Sequence, residues 1–263
     1  MLGAIIGDVV GSRFEFANVK TRNFKLFSPE CSFTDDTICT VAVADAILRG
    51  VPYRDALLLW GRRYPNPKGS YGGSFSWWLG SADPQPYNSW GNGAAMRVSP
   101  VAWAFSEYGV IVREALATAL PTHNHPEGIV GASTVALAIF LLRTMNHPSF
   151  RDGEVARLVR DAYGEDYAER VPAPGVFDET CRGCVPLAFK LCAESSSFED
   201  ALRRAIVYGG DSDTLGAIVG SLAEARWGVP AEIREKALSF LPNEMLNVIV
   251  KFEHRYKNEF RSC

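Results

Sequence analysis

The sequence predicts an all-α fold built as a single domain. Apolar residues recur at helical spacing over most of the 263 positions, and alternating strand-like runs with hairpin dipeptides are hard to find. No tandem repeat, low-complexity tract or Pro/Ser-rich linker divides the chain. Hydrophobic residues at 47% and charged residues at 22% are ordinary for a globular protein, and a chain of this length buries a core without disulfides or metals. Lys and Arg number 27 against 30 Asp and Glu, a formal charge of −3 with no basic run, which argues against a protein whose main partner is a nucleic-acid backbone.

Met1 to Asp8 is apolar but lacks a positive leader, and Asp8 interrupts it early, so export is not expected and a cytoplasmic location is. Gly7-Asp8-Val9-Val10-Gly11 places two small residues a turn apart, which allows close helix packing, with Glu15 following on the next turn. Taken alone, Asp8 and Glu15 read as surface or capping residues. The first clear helix follows Ser32 to Asp36, whose hydroxyls and carboxylates can cap free N–H groups, and Gly50 and Pro52 end it. Further helices are expected at Tyr53 to Tyr64, Ala94 to Phe105, Val110 to Leu120, Pro126 to Met145, Gly153 to Tyr163 and Thr180 to Glu194. Phe198 to Val207, Asp213 to Trp227, Ala231 to Leu238 and Glu244 to Tyr256 complete the set.

Two stretches break this regularity, Val19 to Glu30 and Pro65 to Gly93. The second is rich in glycine and aromatics and is expected to form an ordered loop lining a site. The weakly charged run from Gly128 to Leu142 is too short and too rich in Gly, Ser and Thr for a membrane span, and reads as a buried core helix. Six cysteines, Cys31, Cys39, Cys181, Cys184, Cys192 and Cys263, are too few for a disulfide framework and are expected as reduced thiols. Cys181-x-x-Cys184 has no second pair and reads as buried thiols, Trp77-Trp78 as base-stacking or core residues, and Ala201 to Ala205 as a solvated helix face.

Two acidic, hydroxyl-bearing clusters stand at opposite ends of the chain. They are Thr34-Asp35-Asp36-Thr37 and Gly209-Gly210-Asp211-Ser212-Asp213-Thr214, and each opens a predicted helix. Either alone is explained by capping. Brought face to face, they make an all-oxygen site for hard cations, Mg²⁺ or Mn²⁺ rather than zinc, and a two-metal centre is the natural reading. An EF-hand starting at Asp211 would need oxygen ligands where Leu215 and Leu222 stand, and a DDxxD helix would need an acid at Cys39. Both readings fail. Gly91-Asn92-Gly93 opens a helix in a way that suits an anionic ligand such as phosphate, and Thr122 to Pro126 places His123 and His125 between helices.

These motifs converge. GDxxGxxxE at Gly7 to Glu15, TDDT at Thr34 to Thr37, GNGAAMR at Gly91 to Arg97, THxHP at Thr122 to Pro126 and GGDSDT at Gly209 to Thr214 stand in order along nearly the whole chain. The combination resembles the ADP-ribosylglycohydrolase family. The resemblance implies a compact all-α domain, a helical bundle of the ADP-ribosylglycohydrolase type, holding two divalent cations, Mg²⁺ or Mn²⁺, at the bottom of a cleft that binds ADP-ribose. Carried over by position, the metal ligands are Thr34, Asp35, Asp36, Asp211, Asp213 and Thr214. Glu15 matches a glutamate at the metal centre and is the expected proton-transfer group, with Asp36 as the second catalytic carboxylate. Gly91, Asn92, Gly93 and the loop Gly72, Gly73, Ser74 are expected against the diphosphate or ribose, and His123 against the ligand.

The implied reaction is hydrolysis of the bond between ADP-ribose and an acceptor. Arginine-directed members carry an aspartate before the small-residue loop, where this chain reads Lys68-Gly69-Ser70-Tyr71, so other acceptors are expected: another protein side chain, a small ADP-ribose conjugate or a nucleic-acid end. No membrane partner and a monomer are expected. A non-catalytic ADP-ribose-binding or crystallin-like structural member is the alternative, with a two-metal phosphoesterase as a third reading. The intact Asp35, Asp36, Asp211 and Asp213 speak against the former, and the lack of a basic clamp beside them against the latter.

Overall fold

Small residues recur every fourth position in the first helix, at Gly3, Gly7 and Gly11, and a matching row runs along a late helix at Ser212, Gly216 and Gly220. A computed structural model describes residues 1–256, and it brings these two rows together. The described chain forms α1 (Leu2–Gly11), α2 (Asp35–Arg49), α3 (Tyr53–Arg63), α4 (Gly73–Gly80), α5 (Gly93–Arg97), α6 (Ser99–Ala104) and α7 (Tyr108–Ala119). It continues as α8 (Pro126–Thr144), α9 (Pro148–Tyr163), α10 (Cys181–Ala193), α11 (Phe198–Tyr208), α12 (Ser212–Trp227), α13 (Ala231–Leu238) and α14 (Asn243–Tyr256). Among the described residues the only strand-like pairing is an isolated antiparallel bridge between Gly91 and Thr180. The fold is all-α, as the sequence predicts.

Helices α1 and α12 run antiparallel through the centre at backbone contact. A Cβ on Gly3 would lie 2.0 Å from the Gly220 carbonyl oxygen, one on Gly7 1.9 Å from that of Gly216, and one on Gly11 2.4 Å from that of Ser212. Every residue of α1 is buried, and α12 is buried from Ser212 to Glu224. Around this pair α2, α8, α10 and α11 bury Ile38, Ile139, Val185 and Leu202 in one continuous core. Helix α8 is long and apolar enough to cross a membrane, but 56% of its apolar window is buried inside the fold.

Here the structure departs from expectation in two places. Helix α4 lies inside the stretch expected to be irregular. Glycine and serine at Gly73, Ser74 and Gly80 disfavour a helix, yet Phe75, Trp78 and Leu79 are spaced to bury one face of it, and that burial prevails. Trp78 is thus a core residue, whereas Trp77 is exposed. The run Ala201 to Ala205 is not a solvated face: Ala201, Leu202 and Ala205 are buried, and Arg203 donates to the carbonyls of Arg22 and Phe24, pinning the irregular segment before α2. Cys31, Cys39, Cys181, Cys184 and Cys192 are free and buried, and Cys263 lies outside the described residues.

The glycine contact is directly testable. Gly7→Ala is expected to lower the unfolding free energy by about 3 kcal/mol or more in a urea titration, because backbone cannot yield as a side-chain tip does. Gly80→Ala, where a Cβ meets nothing within 4 Å, serves as the control and is expected to stay within about 1 kcal/mol of the parent.

Candidate active site

The antiparallel α1–α12 pair carries the C-terminal half of α1 to the start of α12, and α2 begins beside both. Asp8, fully buried on α1, organises this junction. Its carboxylate accepts from the Thr34 N–H at 3.0 Å, the Thr34 hydroxyl at 2.8 Å, the Thr37 N–H at 3.1 Å and the Thr37 hydroxyl. The same Thr34 Oγ1 caps α2 by accepting from the Asp36 N–H at 3.3 Å. Thr214 on α12 donates to Asp36 Oδ2 at 3.1 Å, and Asn92 Nδ2 donates to Asp211 Oδ2 at 2.6 Å. The two acidic clusters, joined by a bond between residues 178 apart in sequence, therefore meet on one floor.

This floor is electrostatically unfinished. Asp36 Oδ1 and Asp213 Oδ1 are buried without a hydrogen-bond partner. Among the described residues none of Asp8, Asp35, Asp36, Asp211 or Asp213 forms an ion pair with a basic group. Burial, and then the charge of Asp213, push the Asp8 carboxyl up to about 7 and the Asp35, Asp36 and Asp211 carboxyls well above the usual range. Asp211 and Asp213 lie within hydrogen-bond reach of each other, which two carboxylates tolerate only with a proton or a cation between them. Among the described residues no three carboxylate, imidazole or thiolate groups by themselves converge on a metal position. The hydroxyls of Thr34 and Thr214 stand beside Asp36 on this floor and, with the aspartates, are oxygen donors of the kind that could hold a hard cation.

Above the floor opens a cleft of about 920 Å³. Glu15 stands on its wall, half-buried, and burial followed by the charges of Asp213 and Asp8 raises it to about 7. Gly69, at φ 79°, faces it so closely that a Cβ would lie 2.7 Å from Glu15 Oε2. Gly72, Gly73 and Ser74 form the exposed N-terminus of α4, and the N–H groups of Gly73 and Ser74 have no partner among the described residues. The Gly91–Gly93 loop differs from expectation. Gly91 N–H is taken by Ser89 Oγ at 3.1 Å and Asn92 N–H by the Glu179 carbonyl at 2.7 Å, so two of its three donors already serve the fold. His123, buried behind that loop, and Tyr87 complete this wall, while Phe16 and Phe177 stack at 6.0 Å at the mouth.

The sequence profile described as ADP-ribosylglycohydrolase matches residues 1–259. The chain belongs to the ADP-ribosylglycohydrolase family. It is 33% identical over 144 residues to the ADP-ribosyl-[dinitrogen reductase] glycohydrolase of Rhodospirillum rubrum, a match covering 53% of this chain and 47% of that protein. A 29% match over 152 residues to a protein of Archaeoglobus fulgidus covers 51% and 48%. These alignments thus span about half the length of either relative. ADP-ribosylarginine hydrolase Tri1 of Pseudomonas putida is 24% identical over 278 aligned positions, covering 90% of this chain and 72% of that one. A solved structure titled ADP-ribosylglycohydrolase-related protein complex superposes with a TM-score of 0.72 over 97% of each chain at 23% identity, and so shares the fold.

In this family member the expected residues Glu15, Asp35, Asp36, Asp211, Asp213, Thr214, His123 and the two glycine loops all line or floor one cleft. Thr34 sits beneath it, fully buried. Asn92 lines the cleft and also holds Asp211 with its amide. Sequence reasoning read Asp8, taken alone, as a surface or capping residue and passed over Tyr87, Phe177 and the 176–180 segment. Asp8 carried one signal, an acid in an otherwise wholly apolar helix.

The raised carboxyls fix the sign of a pH effect in chelator-treated protein. Asp8 and Glu15 hold protons in the folded state up to about pH 7, whereas unfolded carboxyls release them near pH 4. The folded state binds more protons across that window, so stability falls as pH rises through it. The melting temperature is expected to drop between pH 5 and pH 8, and Glu15→Gln to make the slope shallower; a melting temperature that climbs over this range contradicts the assignment.

Proposed function

We propose that this chain is a divalent-cation-dependent hydrolase that releases ADP-ribose from a conjugate. One observation carries the reading: two acidic helix starts meet at the floor of a single cleft with buried, unpaired carboxylate oxygens, and a separate half-buried glutamate stands above them. Membership of the ADP-ribosylglycohydrolase family and the printed activities of the Rhodospirillum and Pseudomonas relatives support it.

In this reading Thr34, Asp35, Asp36, Asp211, Asp213 and Thr214 would hold two cations, and their all-oxygen chemistry favours Mg²⁺ or Mn²⁺. When bound, such cations supply Lewis acidity, which orients ribose hydroxyls and makes a bound water more acidic. The protein supplies the rest. Breaking the bond at the anomeric carbon builds positive charge on the ribose, expels an acceptor that needs a proton and admits a water that must lose one. Glu15 is placed for that proton traffic at its Oε atoms, because a carboxyl poised near 7 both gives and takes a proton at neutral pH. Asp36, deeper and hydrogen-bonded to Thr214, is the second candidate. The unpartnered N–H groups of Gly73 and Ser74 at the α4 N-terminus suit the diphosphate better than the Gly91–Gly93 loop does. The acceptor is a protein side chain, a small molecule or a nucleic-acid end, and the protein acts as a cytoplasmic monomer.

Incubation with arginine-linked, serine-linked, O-acetyl and nucleic-acid-linked ADP-ribose, with Mg²⁺ or Mn²⁺ and then with chelator, is expected to give metal-dependent release of free ADP-ribose from one of them. Binding of ADP-ribose without release from any would move the assignment to a non-catalytic binder. Asp213→Ala is expected to abolish turnover and weaken Mn²⁺ binding in calorimetry while the far-ultraviolet spectrum keeps its helical form. Glu15→Gln is expected to lower kcat by about 100-fold or more, with a much smaller change in ADP-ribose affinity, since proton transfer matters only in the transition state. Equal losses in both would remove Glu15 from the proton-transfer role.

A further inference from the structure

The loop that carries Glu15 runs on to an amide whose hydrogen bonds all go to backbone. Asn18 Nδ2 faces the carbonyls of Phe14 at 2.7 Å, Glu15 at 3.3 Å and Gly210 at 3.4 Å, and its Oδ1 accepts the Gly210 N–H at 2.8 Å. These partners leave no choice of orientation. A backbone N–H only donates and a carbonyl only accepts, so the amide oxygen faces the Gly210 N–H and the amide nitrogen faces the three carbonyls. Turned over, the group would set N–H against N–H and oxygen against oxygen.

The Phe14 carbonyl belongs to the peptide group before the Glu15 Cα, and the Glu15 carbonyl to the peptide group after it. Holding both restrains the two backbone rotations that would swing the Glu15 side chain. Gly210 is the residue before Asp211, and Asn18 meets it at both its N–H and its carbonyl. This turn is held from its other side as well. A Cβ on Gly210 would lie 2.3 Å from the Val176 carbonyl oxygen, and α12, which starts at Ser212, is buried from its first residue. The adjustable partner is therefore the Glu15 loop, where residues 16–18 are exposed.

We propose that Asn18 is a positioning residue for the reaction: it locks the backbone on both sides of Glu15 to the peptide group before Asp211, so that the Glu15 carboxyl and the aspartate floor keep one separation. The catalytic part rests on the hydrolase reading with Glu15 as its proton-transfer group, whereas the tie rests on hydrogen-bond geometry alone. Proton transfer depends steeply on reach, and a carboxyl displaced by about 1 Å leaves hydrogen-bond distance of the atom it serves.

The test follows the Glu15 carboxyl in carbon-13 spectra of chelator-treated protein, its resonance identified by loss in Glu15→Gln. The parent is expected to titrate at about 7, raised by burial and by Asp213, Asp8 and Glu179 against the lowering charge of Lys68. Asn18→Ala, a change at an exposed position, is expected to leave the helices in place, free the loop and bring this titration down toward the ordinary glutamate range. With the conjugate that the parent hydrolyses, Asn18→Ala is expected to lower kcat about tenfold, while Mn²⁺ affinity in calorimetry stays within about twofold of the parent. Asn18→Asp keeps the shape and the acceptor for Gly210 but turns an oxygen toward three carbonyls, and is expected to lose at least as much kcat. An unchanged Glu15 titration in Asn18→Ala, a parent-like kcat in Asn18→Asp, or a kcat loss matched by an equal loss of Mn²⁺ affinity overturns the proposal. Absence of ADP-ribose release by the parent overturns the hydrolase reading alone, and the titration still decides the tie.

Discussion

The whole site hangs on the contact between two backbones. With glycine at positions 3, 7, 216 and 220, α1 and α12 approach until the surface of one helix is the carbonyl row of the other. At ordinary interhelical spacing the junction between Asp8 and the start of α12 would open by the thickness of a side chain. The hydroxyls and carboxylates now bridged at about 3 Å would then be out of reach. The sequence invests its smallest residues here because the next layer needs sub-ångström placement of charged groups contributed by distant parts of the chain.

That layer is costly to build. Five aspartates packed under a cleft lose their hydration and repel one another, and protein dipoles offset only part of this. Asp8 receives donors from both threonines and both of their backbone N–H groups, yet it remains raised, because burial outweighs four hydrogen bonds. In the proposed reading, a cation from outside supplies the positive charge that this cluster lacks among the described residues. Basic groups are excluded from the floor but present around it: Lys68 lies near Glu15, and Arg97 lies behind His123. The positive charges are set where they tune single groups and not where they would neutralise the floor.

What the sequence disclosed was what is local. A hydroxyl and carboxylates at a helix start announce themselves through capping chemistry, so Thr34 to Thr37 and Asp211 to Thr214 were readable, as was the periodicity of α8 or α12. What stayed hidden depends on partners far along the chain. Asp8 becomes intelligible only beside Thr34, the Gly91 and Asn92 N–H groups only once Glu179 and Ser89 are seen to take them, and Arg203 only when the 22–24 segment lies on it. Helix α4 was masked by its glycines, whose cost is local while the burial of Trp78 that repays it is not. Family resemblance supplied the convergence of these pieces. The hydrogen-bond pattern then added the support that Asn92 gives Asp211.

The role proposed for Glu15 needs placement without capture. A proton-transfer group sunk among the aspartates would titrate as part of their collective and not by itself. One left free on a loop would lose register with the floor. The chain resolves this through Asn18. Its Nδ2 donates to the Phe14 carbonyl at 2.7 Å, and its Oδ1 accepts the Gly210 N–H at 2.8 Å, so the loop carrying Glu15 is tied to the turn that presents Asp211 and Asp213. Gly209 and Gly210 hold consecutive positive φ angles of 77° and 79° to make that turn, and a Cβ on Gly209 would lie 2.6 Å from Asn18 Oδ1. A neutral amide, adding no charge to an already crowded field, therefore couples the loop carrying Glu15 to the turn carrying Asp211 and Asp213.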